Sequence, residues 1–384
     1  MGDRLFTPAF ILLGICELAY FLAAGLTIPI TPLFAEGPLG AGEVLVGITV
    51  GAFSATALVL RPVAGRTTDR HGRRRLLMGG ALLCGITLVL HAVTTSLAIL
   101  IGLRLLLGVA EAFFFVAGFA ALADLAPPGR TGEALSFNSL ALYLGLALGP
   151  SLGEWLLDAG GFTAAWLGGA ALALAAAALA SALPETAAPE RGEPARVRLI
   201  HPAALGPGVV LCAGIIPMGG LIGFSALYAR EVDMATSGPL MLAFGAAVIA
   251  CRVLFARVPD RVPPFRLGAL ALALAAIGLV GLSQLQVPAA VLVSAAVLGI
   301  GVAFITPAMF SAVVARVEPG ERGSARGTAS VLIDIGLGGG PILVGLVAGV
   351  ATISAGFAAA AAVAGVGALV ALISGRRQGA TALS

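Results

Sequence analysis

Long apolar runs, interrupted at short and fairly regular breaks, constrain the fold of this chain more than any other feature. Each run is long enough to supply the roughly 20 apolar residues that a helix needs to cross a bilayer. Eleven breaks therefore predict twelve membrane-spanning helices, although the last break carries no charge and rests partly on the length of the surrounding run. The breaks lie near residues 36–43, 66–75, 93–97, 126–133, 158–162, 185–203, 229–237, 257–266, 285–289, 317–326 and 351–354.

Composition excludes a water-soluble globule. The chain is 59% hydrophobic and 11% charged, whereas soluble domains contain roughly 25% charged residues. Helices satisfy their own backbone hydrogen bonds in lipid, so the predicted fold class is an all-α integral membrane protein. The four cysteines each stand alone in an apolar run, which predicts neither a metal site nor a disulfide framework. They are Cys16, Cys84, Cys212 and Cys251.

Arginine placement predicts the orientation. Loops on the cytoplasmic side of a membrane retain Arg, whereas outer loops lack it. All but one of the loop arginines fall on one side, Arg230 being the exception. Both termini and the central loop are therefore expected to be cytoplasmic, and Trp155 and Trp166 are expected near the outer boundary. The arginines on the cytoplasmic side are Arg4, Arg66, Arg70, Arg73, Arg74, Arg75, Arg130, Arg191, Arg196, Arg198, Arg257, Arg261, Arg266, Arg316, Arg322, Arg326, Arg376 and Arg377.

The chain repeats itself at a shift of 191 residues, because charged and Gly-Pro positions recur in one register. Six spans separate equivalent points, so the two halves have the same orientation and are related by an axis along the membrane normal. The sequence predicts an N-terminal six-helix bundle at 1–184, a cytoplasmic linker at 185–203 and a C-terminal six-helix bundle at 204–384. The repeated positions are Arg61 and Arg252, Asp69 and Asp260, Arg70 and Arg261, Gly145 and Gly336, and Gly149-Pro150 and Gly340-Pro341.

Four motifs carry a family resemblance. The segment from Gly65 to Arg75 after helix 2, with Asp69, Arg70, Gly72 and Arg73, resembles the major facilitator signature. Helix 4 has Arg104 followed by Gly108, and helix 6 closes on Pro184-Glu185-Thr186, which is similar to an exporter subset. Helix 5 reads Gly145-x-x-x-Gly149-Pro150-x-x-Gly153, which resembles the motif of drug/proton antiporters, although Glu154 stands where many of them have Gly.

The resemblance is to major facilitator transporters, and most to bacterial arabinose-efflux and multidrug-efflux permeases. It implies a multi-pass protein of the bacterial cytoplasmic membrane and alternating access between two six-helix bundles. It also implies that Gly65 lets helix 2 approach helix 11 closely. Asp69 would then face the positive end of a helix dipole. Arg73, one turn from Asp69, is predicted to bridge it to Asp124 as a latch that breaks when the cytoplasmic side opens.

Ionisable residues inside apolar spans are costly unless they are paired or face water, so each is a functional candidate. Four stand out as candidates for proton coupling: Glu17, Arg104, Glu111 and Asp334. Asp334 is expected to be the main proton-responsive acid, because no basic residue lies near it in helix 11. The alternative for each acid is a structural role, such as pairing of Glu111 with Arg104. Polar residues that can share a substrate cavity are Tyr20, Asn138 and Tyr143, while Glu154 and Asp158 are expected to be solvated rim charges.

The leading interpretation is a proton-coupled exporter of a small amphipathic solute or drug. The second is a specific transporter of a sugar, amino acid or siderophore, in either direction, and a third is a membrane receptor or scaffold. No motif indicates an enzyme or a nucleic-acid-binding protein, and no cofactor or metal site is predicted. The proton gradient is the expected energy source, and the expected partners are a small-molecule substrate and the lipid bilayer, with the protein acting as a monomer.

Overall fold

A computed structural model describes residues 5–127, 130–186, 201–317 and 321–381, and the regular structure in these ranges is helical. The predicted linker at 185–203 lies largely outside the described residues. So do Arg4, Arg191, Arg196 and Arg198, which contributed to the predicted orientation.

The first half contains six long helices. One helical stretch, Thr131–Ser181, is two helices, because Gly160 and Gly161 have non-helical backbone angles and Gly161 has a φ of +71°. The predicted break at 158–162 is confirmed there. The helices are α1 Pro8–Glu36, α2 Glu43–His71, α3 Arg73–His91, α4 Leu97–Leu125, α5 131–159 and α6 162–181.

The second half repeats this plan. A four-residue helix, Val258–Arg261, lies between its second and third long helices. The least certain predicted break, 351–354, is confirmed, because one helix ends at Ala348 and the next begins at Ile353. The helices are α7 Pro202–Glu231, α8 Gly238–Leu254, α9 Pro264–Gln284, α10 Pro288–Val314, α11 Arg322–Ala348 and α12 Ile353–Thr381.

Ten helical stretches among the described residues are long and apolar enough to cross a membrane. One of them contains both α5 and α6, and α8 is a shorter apolar helix of 17 residues. The chain is therefore a multi-pass membrane protein built from helices, as the sequence predicts.

Local sequence explains where several helices begin. Thr7 accepts a hydrogen bond from the Phe10 backbone N–H at 3.2 Å, and Pro8 occupies the first helical position of α1, where its missing N–H costs nothing. A distant residue starts α12: the Glu231 carboxylate, at the end of α7, accepts from the backbone N–H groups of Ile353 and Ser354, both at 3.0 Å. This cap fixes the end of α7 to the start of α12.

The chain divides into two compact units. The first comprises residues 1–40 and 52–193, and the second comprises residues 41–51 and 194–384. Residues 41–51, which include the first turns of α2, thus belong with the second unit. Within that unit, a Cβ atom on Gly47 or Gly51 would lie 2.5 Å from the backbone oxygen of Pro341 or Gly338, respectively.

One expectation about α2 is wrong. The segment 66–75 is not a loop, because α2 continues to His71 and α3 begins at Arg73, with Gly72 alone between them. Gly72 has a φ of +91°, a conformation that glycine adopts without steric cost. A Cβ at Gly65 would meet nothing within 4 Å, and the expected approach of helix 11 to Gly65 stays a prediction. Gly47 and Gly51, at the other end of α2, are where the backbone of α11 comes close.

Candidate functional site

The turn at Gly72 organises the arginine-rich end of the first unit. Arg73 is the first residue of α3, so the break at Gly72 separates it from the helix that carries Asp69. The expected one-turn relation between Asp69 and Arg73 on a single helix is therefore wrong. Arg73 directs its Nε to the Asp124 Oδ2 atom at the end of α4, at 3.0 Å. The Arg73 side chain is 5% exposed and that of Asp124 is 28% exposed, so this ion pair is largely shielded from water.

A second acid holds the same helix start. Glu185, which follows α6, accepts a hydrogen bond from the Arg74 backbone N–H at 3.2 Å. Its carboxylate occupies the space beside Gly72 that any larger residue would need. The negative charge lies at the positive end of the α3 dipole, which is favourable. Thus the exporter-like Pro184-Glu185-Thr186 segment and the signature residue Gly72 form one structural unit, which the sequence did not predict.

The structure says less about the other residues of the segment from Gly65 to Arg75 and about Asn138. Arg70 is exposed at the end of α2. The side chains of Asp69 and of its second-half counterpart Asp260 lie outside what the structure describes, as does that of Asn138. Their predicted roles therefore stay predictions.

A cluster of polar side chains lies inside the first unit, between α1, α3 and α4. Tyr20 of α1 donates a long hydrogen bond, 3.4 Å, from its hydroxyl to the Glu111 Oε2 atom of α4. Its ring stacks on Phe114 with centroids 3.7 Å apart and an interplanar angle of 8°. The Cys84 thiol of α3 lies against the same hydroxyl. Tyr20 is 2% exposed, so this contact is built into the interior of the unit.

Glu17 lies one turn before Tyr20 on α1 and is also 2% exposed. A Cβ atom on Gly118 of α4 would lie 2.6 Å from the Glu17 Oε1 atom and 3.7 Å from Leu77 of α3. The missing side chain at position 118 therefore leaves the space that the Glu17 carboxylate fills.

Two arginines of the first unit lie over aromatic rings inside the spans. The Arg104 guanidinium carbon is 5.2 Å from the centre of the Phe53 ring, and that of Arg61 is 4.8 Å from the centre of the Phe115 ring. Both distances suit a cation–π interaction. Arg61 of α2 and its counterpart Arg252 of α8 are repeated positions that the sequence analysis did not assign to a site. Their positions inside apolar helices were the signal that could have marked them as functional candidates.

Asp334 lies in the second unit, on α11, and is 3% exposed. Tyr143, at the equivalent position of the first unit, is 5% exposed on α5. The repeat thus places a buried tyrosine in one unit where the other has a buried acid. Among the described residues, no group of three or more His, Cys, Asp or Glu side chains is placed to hold a metal ion.

The glycine face of α5 packs directly on α1. A Cβ atom on Gly145 would lie 2.5 Å from the Phe21 carbonyl group, one on Gly149 would lie 2.5 Å from the Gly25 carbonyl carbon, and one on Gly153 would lie 2.5 Å from the Leu26 oxygen. The two backbones are therefore in contact along three turns. In the second unit, Gly336 and Gly340 of α11 face α7 in the same way, with a Cβ on Gly336 at 2.8 Å from that of Ile215.

Two expectations near the other end of the first unit are wrong. Glu154 is not a solvated rim charge, since it is 8% exposed, whereas Asp158 is exposed as expected. Trp166 is fully buried, with its ring 5.8 Å from that of Phe34 and 4.7 Å from that of His91. Trp155, by contrast, is 64% exposed and suits an interfacial position. The position of a residue in the sequence indicates how far along a helix it lies. It does not indicate whether its side chain faces a neighbouring helix.

Two bacterial transporters are similar to this chain over most of its length. The chain is 30% identical over 335 residues to an uncharacterized MFS-type transporter of Salmonella typhimurium, covering 84% of this chain and 85% of that protein. A similar transporter of Burkholderia mallei is 31% identical over 352 residues, covering 86% and 83%.

Solved structures share the fold at low identity. The human organic anion transporter MFSD10 matches with a TM-score of 0.73 and 18% identity, over 95% of this chain and 100% of that one. The nucleoside transporter NupG matches with a TM-score of 0.75 and 14% identity, over 96% and 99%. The family model of the Major Facilitator Superfamily matches residues 13–325. This chain therefore belongs to the Major Facilitator Superfamily, and it is a secondary transporter that carries a small molecule across a membrane.

Proposed function

We propose that this transporter exports small amphipathic solutes in exchange for protons, by alternating access. The observation that carries the proposal is the α5 motif resembling that of drug/proton antiporters. Its three glycines contact the α1 backbone directly, and Pro150 removes a backbone donor within the same stretch. Such a smooth face allows one helix to move against another without side chains interlocking. Glu185 of the exporter-like segment, which contacts the start of α3, supports the same assignment.

The buried acids support proton coupling. Glu17, Glu111 and Asp334 all lie within membrane-spanning helices, where a charge persists only if it is paired or serves a task. Asp334 is the proposed main proton carrier, because it is the buried acid of α11, where the first unit has Tyr143 at the equivalent position. Competition between a proton and a solute for the same acid is the simplest form of exchange. The proton gradient is the proposed energy source, with no cofactor.

The membrane, orientation and assembly are part of the proposal. The arginine-rich ends of the helices are assigned to the cytoplasm, which places both termini there, in a bacterial cytoplasmic membrane. The protein is proposed to act as a monomer, because each six-helix unit buries its own core.

A flux assay in proteoliposomes with an imposed pH gradient tests the function. Four probes are compared: ethidium as an amphipathic cation, fluorescein as an organic anion, uridine as a nucleoside and arabinose as a sugar. Movement of ethidium against its gradient, opposite to the protons, supports the proposal. Coupled movement of uridine or arabinose alone favours a specific metabolite transporter instead. If a pH gradient drives none of the four, the proposed coupling to these solute classes is wrong.

A further inference from the structure

We propose that Arg61 forms an anion-binding subsite in the first unit, where it binds the carboxylate of an aromatic solute while Phe119 packs against the ring of that solute. The inference deepens the proposed function and rests on it, because the bound solute is taken to be one that the transporter exports. It adds one class, the aromatic carboxylates, to the amphipathic solutes and names the residue that selects this class.

The charge of Arg61 lies well inside a membrane-spanning helix. Arg61 belongs to the apolar stretch Glu43–Thr68 of α2, and its guanidinium carbon is 4.8 Å from the centre of the Phe115 ring of α4. Phe115 is about 15 Å before the end of α4 at Leu125. A long basic side chain near the end of a span usually extends to the water at the membrane surface. The contact with Phe115 instead holds the Arg61 charge within the span.

A second contact between the same two helices shows what distinguishes Arg61. Arg104 of α4 lies over the Phe53 ring of α2 at 5.2 Å, so each helix supplies one arginine and one ring. Arg104 is 7% exposed and is therefore enclosed, whereas Arg61 is partly exposed. A charged group inside a span faces either protein or a water-filled path. The exposed part of Arg61 therefore indicates a path that a solute can enter.

The aromatic surface beside Arg61 continues along α4. Phe119 follows Phe115 by one turn, and their ring centres are 4.8 Å apart. Phe119 is 37% exposed, so its ring can pack against the ring of a solute. Glu111, one turn before Phe115, accepts a hydrogen bond from the Tyr20 hydroxyl at 3.4 Å. The patch thus presents a cation and an exposed aromatic ring side by side.

The chemistry of the guanidinium group selects a carboxylate. Its N–H donors lie in one plane and match the two oxygen atoms of a carboxylate. Hydrogen bonds of this kind are stronger where little water competes for them, as inside a span. A solute without the negative charge gains only the ring contact with Phe119. Arg61 is therefore expected to select the charge of the solute, while Phe119 is expected to select its aromatic ring.

Equilibrium binding of two fluorescent probes to the purified full-length protein tests the subsite. Fluorescence anisotropy is measured for fluorescein and for fluorescein methyl ester, in which the carboxylate is blocked. Arg61→Gln is expected to weaken fluorescein binding by about tenfold and to change ester binding little. Phe119→Leu is expected to weaken the binding of both probes alike. Arg66→Gln removes the same charge at an exposed position of α2 and, as the matched control, is expected to bind both probes like the wild type.

A second variant keeps the test decisive if Arg61→Gln does not fold. Arg61→Lys retains the charge but lacks the planar donor pair, so it is expected to weaken fluorescein binding more than ester binding. The inference is overturned if the wild type does not bind fluorescein, if the Arg61 variants bind it like the wild type, or if they lose both probes equally. Failure of the proposed function looks different: fluorescein binding depends on Arg61, but no pH gradient drives solute flux.

Discussion

At the residue scale, the ion pair of Arg73 and Asp124 is the proposed latch. The pair joins the first residue of α3 to the end of α4, and its Arg73 side is nearly closed to water. Removing one partner of a largely shielded ion pair leaves the charge of the other uncompensated, which is destabilising. If the pair forms and breaks once in each transport cycle, its loss alters the balance between conformations but leaves the solute contacts intact.

We therefore expect Arg73→Ala and Asp69→Asn to lower the rate of flux by about tenfold, which corresponds to 1.4 kcal/mol, while equilibrium binding of the same solute changes little. Asp124→Asn is expected to behave like Arg73→Ala. The control is Asp260→Asn, the second-half counterpart of Asp69, which is expected to matter less. Undiminished flux in Arg73→Ala and Asp69→Asn would show that this end of the unit does not act as a latch.

Asp334 provides the second prediction at this scale. It is 3% exposed on α11, where a charge persists only if it is paired or serves a task. Asp334→Asn is expected to abolish accumulation driven by a pH gradient and to leave downhill exchange. Accumulation and solute binding are measured on the same preparation, with the exposed acid variant Asp158→Asn as the control. Full accumulation in Asp334→Asn would exclude this residue as the essential carrier.

At the element scale, the crossing of α1 and α5 depends on three glycines. A side chain at position 149 would meet the Gly25 backbone at 2.5 Å, and backbone cannot move aside as a flexible side chain does. Overpacking of this kind costs about 1–3 kcal/mol. We expect Gly149→Leu to insert into the membrane but to transport slowly or without coupling, and Pro150→Leu to share that defect. Gly14→Leu on α1, where a Cβ meets nothing within 4 Å, is the control. Normal coupled exchange by Gly149→Leu would contradict the proposed role of this crossing.

The cap between α7 and α12 leads to a prediction about stability. Glu231 accepts hydrogen bonds from the backbone N–H groups of Ile353 and Ser354 and from the Ser354 hydroxyl. Removing a cap costs about 1 kcal/mol, so Glu231→Gln is expected to unfold at a lower temperature in detergent while keeping the same helix content. Asp233→Asn, just beyond the end of α7, serves as the control. Equal unfolding temperatures for Glu231→Gln and the wild type would show that the cap contributes nothing measurable.

Sequence predicts this architecture well where one physical quantity decides the outcome. The length of each apolar run decides the number of spans, so even the uncharged break near 351–354 was predicted correctly. Side-chain environment was harder, because the face a residue presents depends on distant packing. Glu154 and Trp166 were expected near water or lipid headgroups and are buried instead. The contact of Glu185 with the start of α3 joins positions 111 residues apart, and no local pattern predicts it.

At the scale of the whole molecule, each unit has its own arrangement of ionisable groups. Among the described residues, the first has Glu17, Arg61, Arg104, Glu111 and Glu154 within its spans, and the second has Asp334 in a span and Arg252 in the shorter helix α8. The repeat produces similar helix crossings in both units, but it does not reproduce these charges apart from Arg61 and Arg252. The proposed alternating access is expected to depend on the shared scaffold, while the unshared charges are where solute choice and proton coupling are expected to reside.

We propose that solute and proton cross in opposite directions through the same protein. The most direct test uses a solute gradient, in place of a pH gradient, to drive proton movement. Proteoliposomes with a pH-sensitive dye inside and no initial pH gradient receive ethidium on one side only. The account predicts that ethidium entry is accompanied by proton movement outward, and that Asp334→Asn removes this proton movement. Ethidium entry without proton movement, or with protons moving in the same direction, would contradict the account.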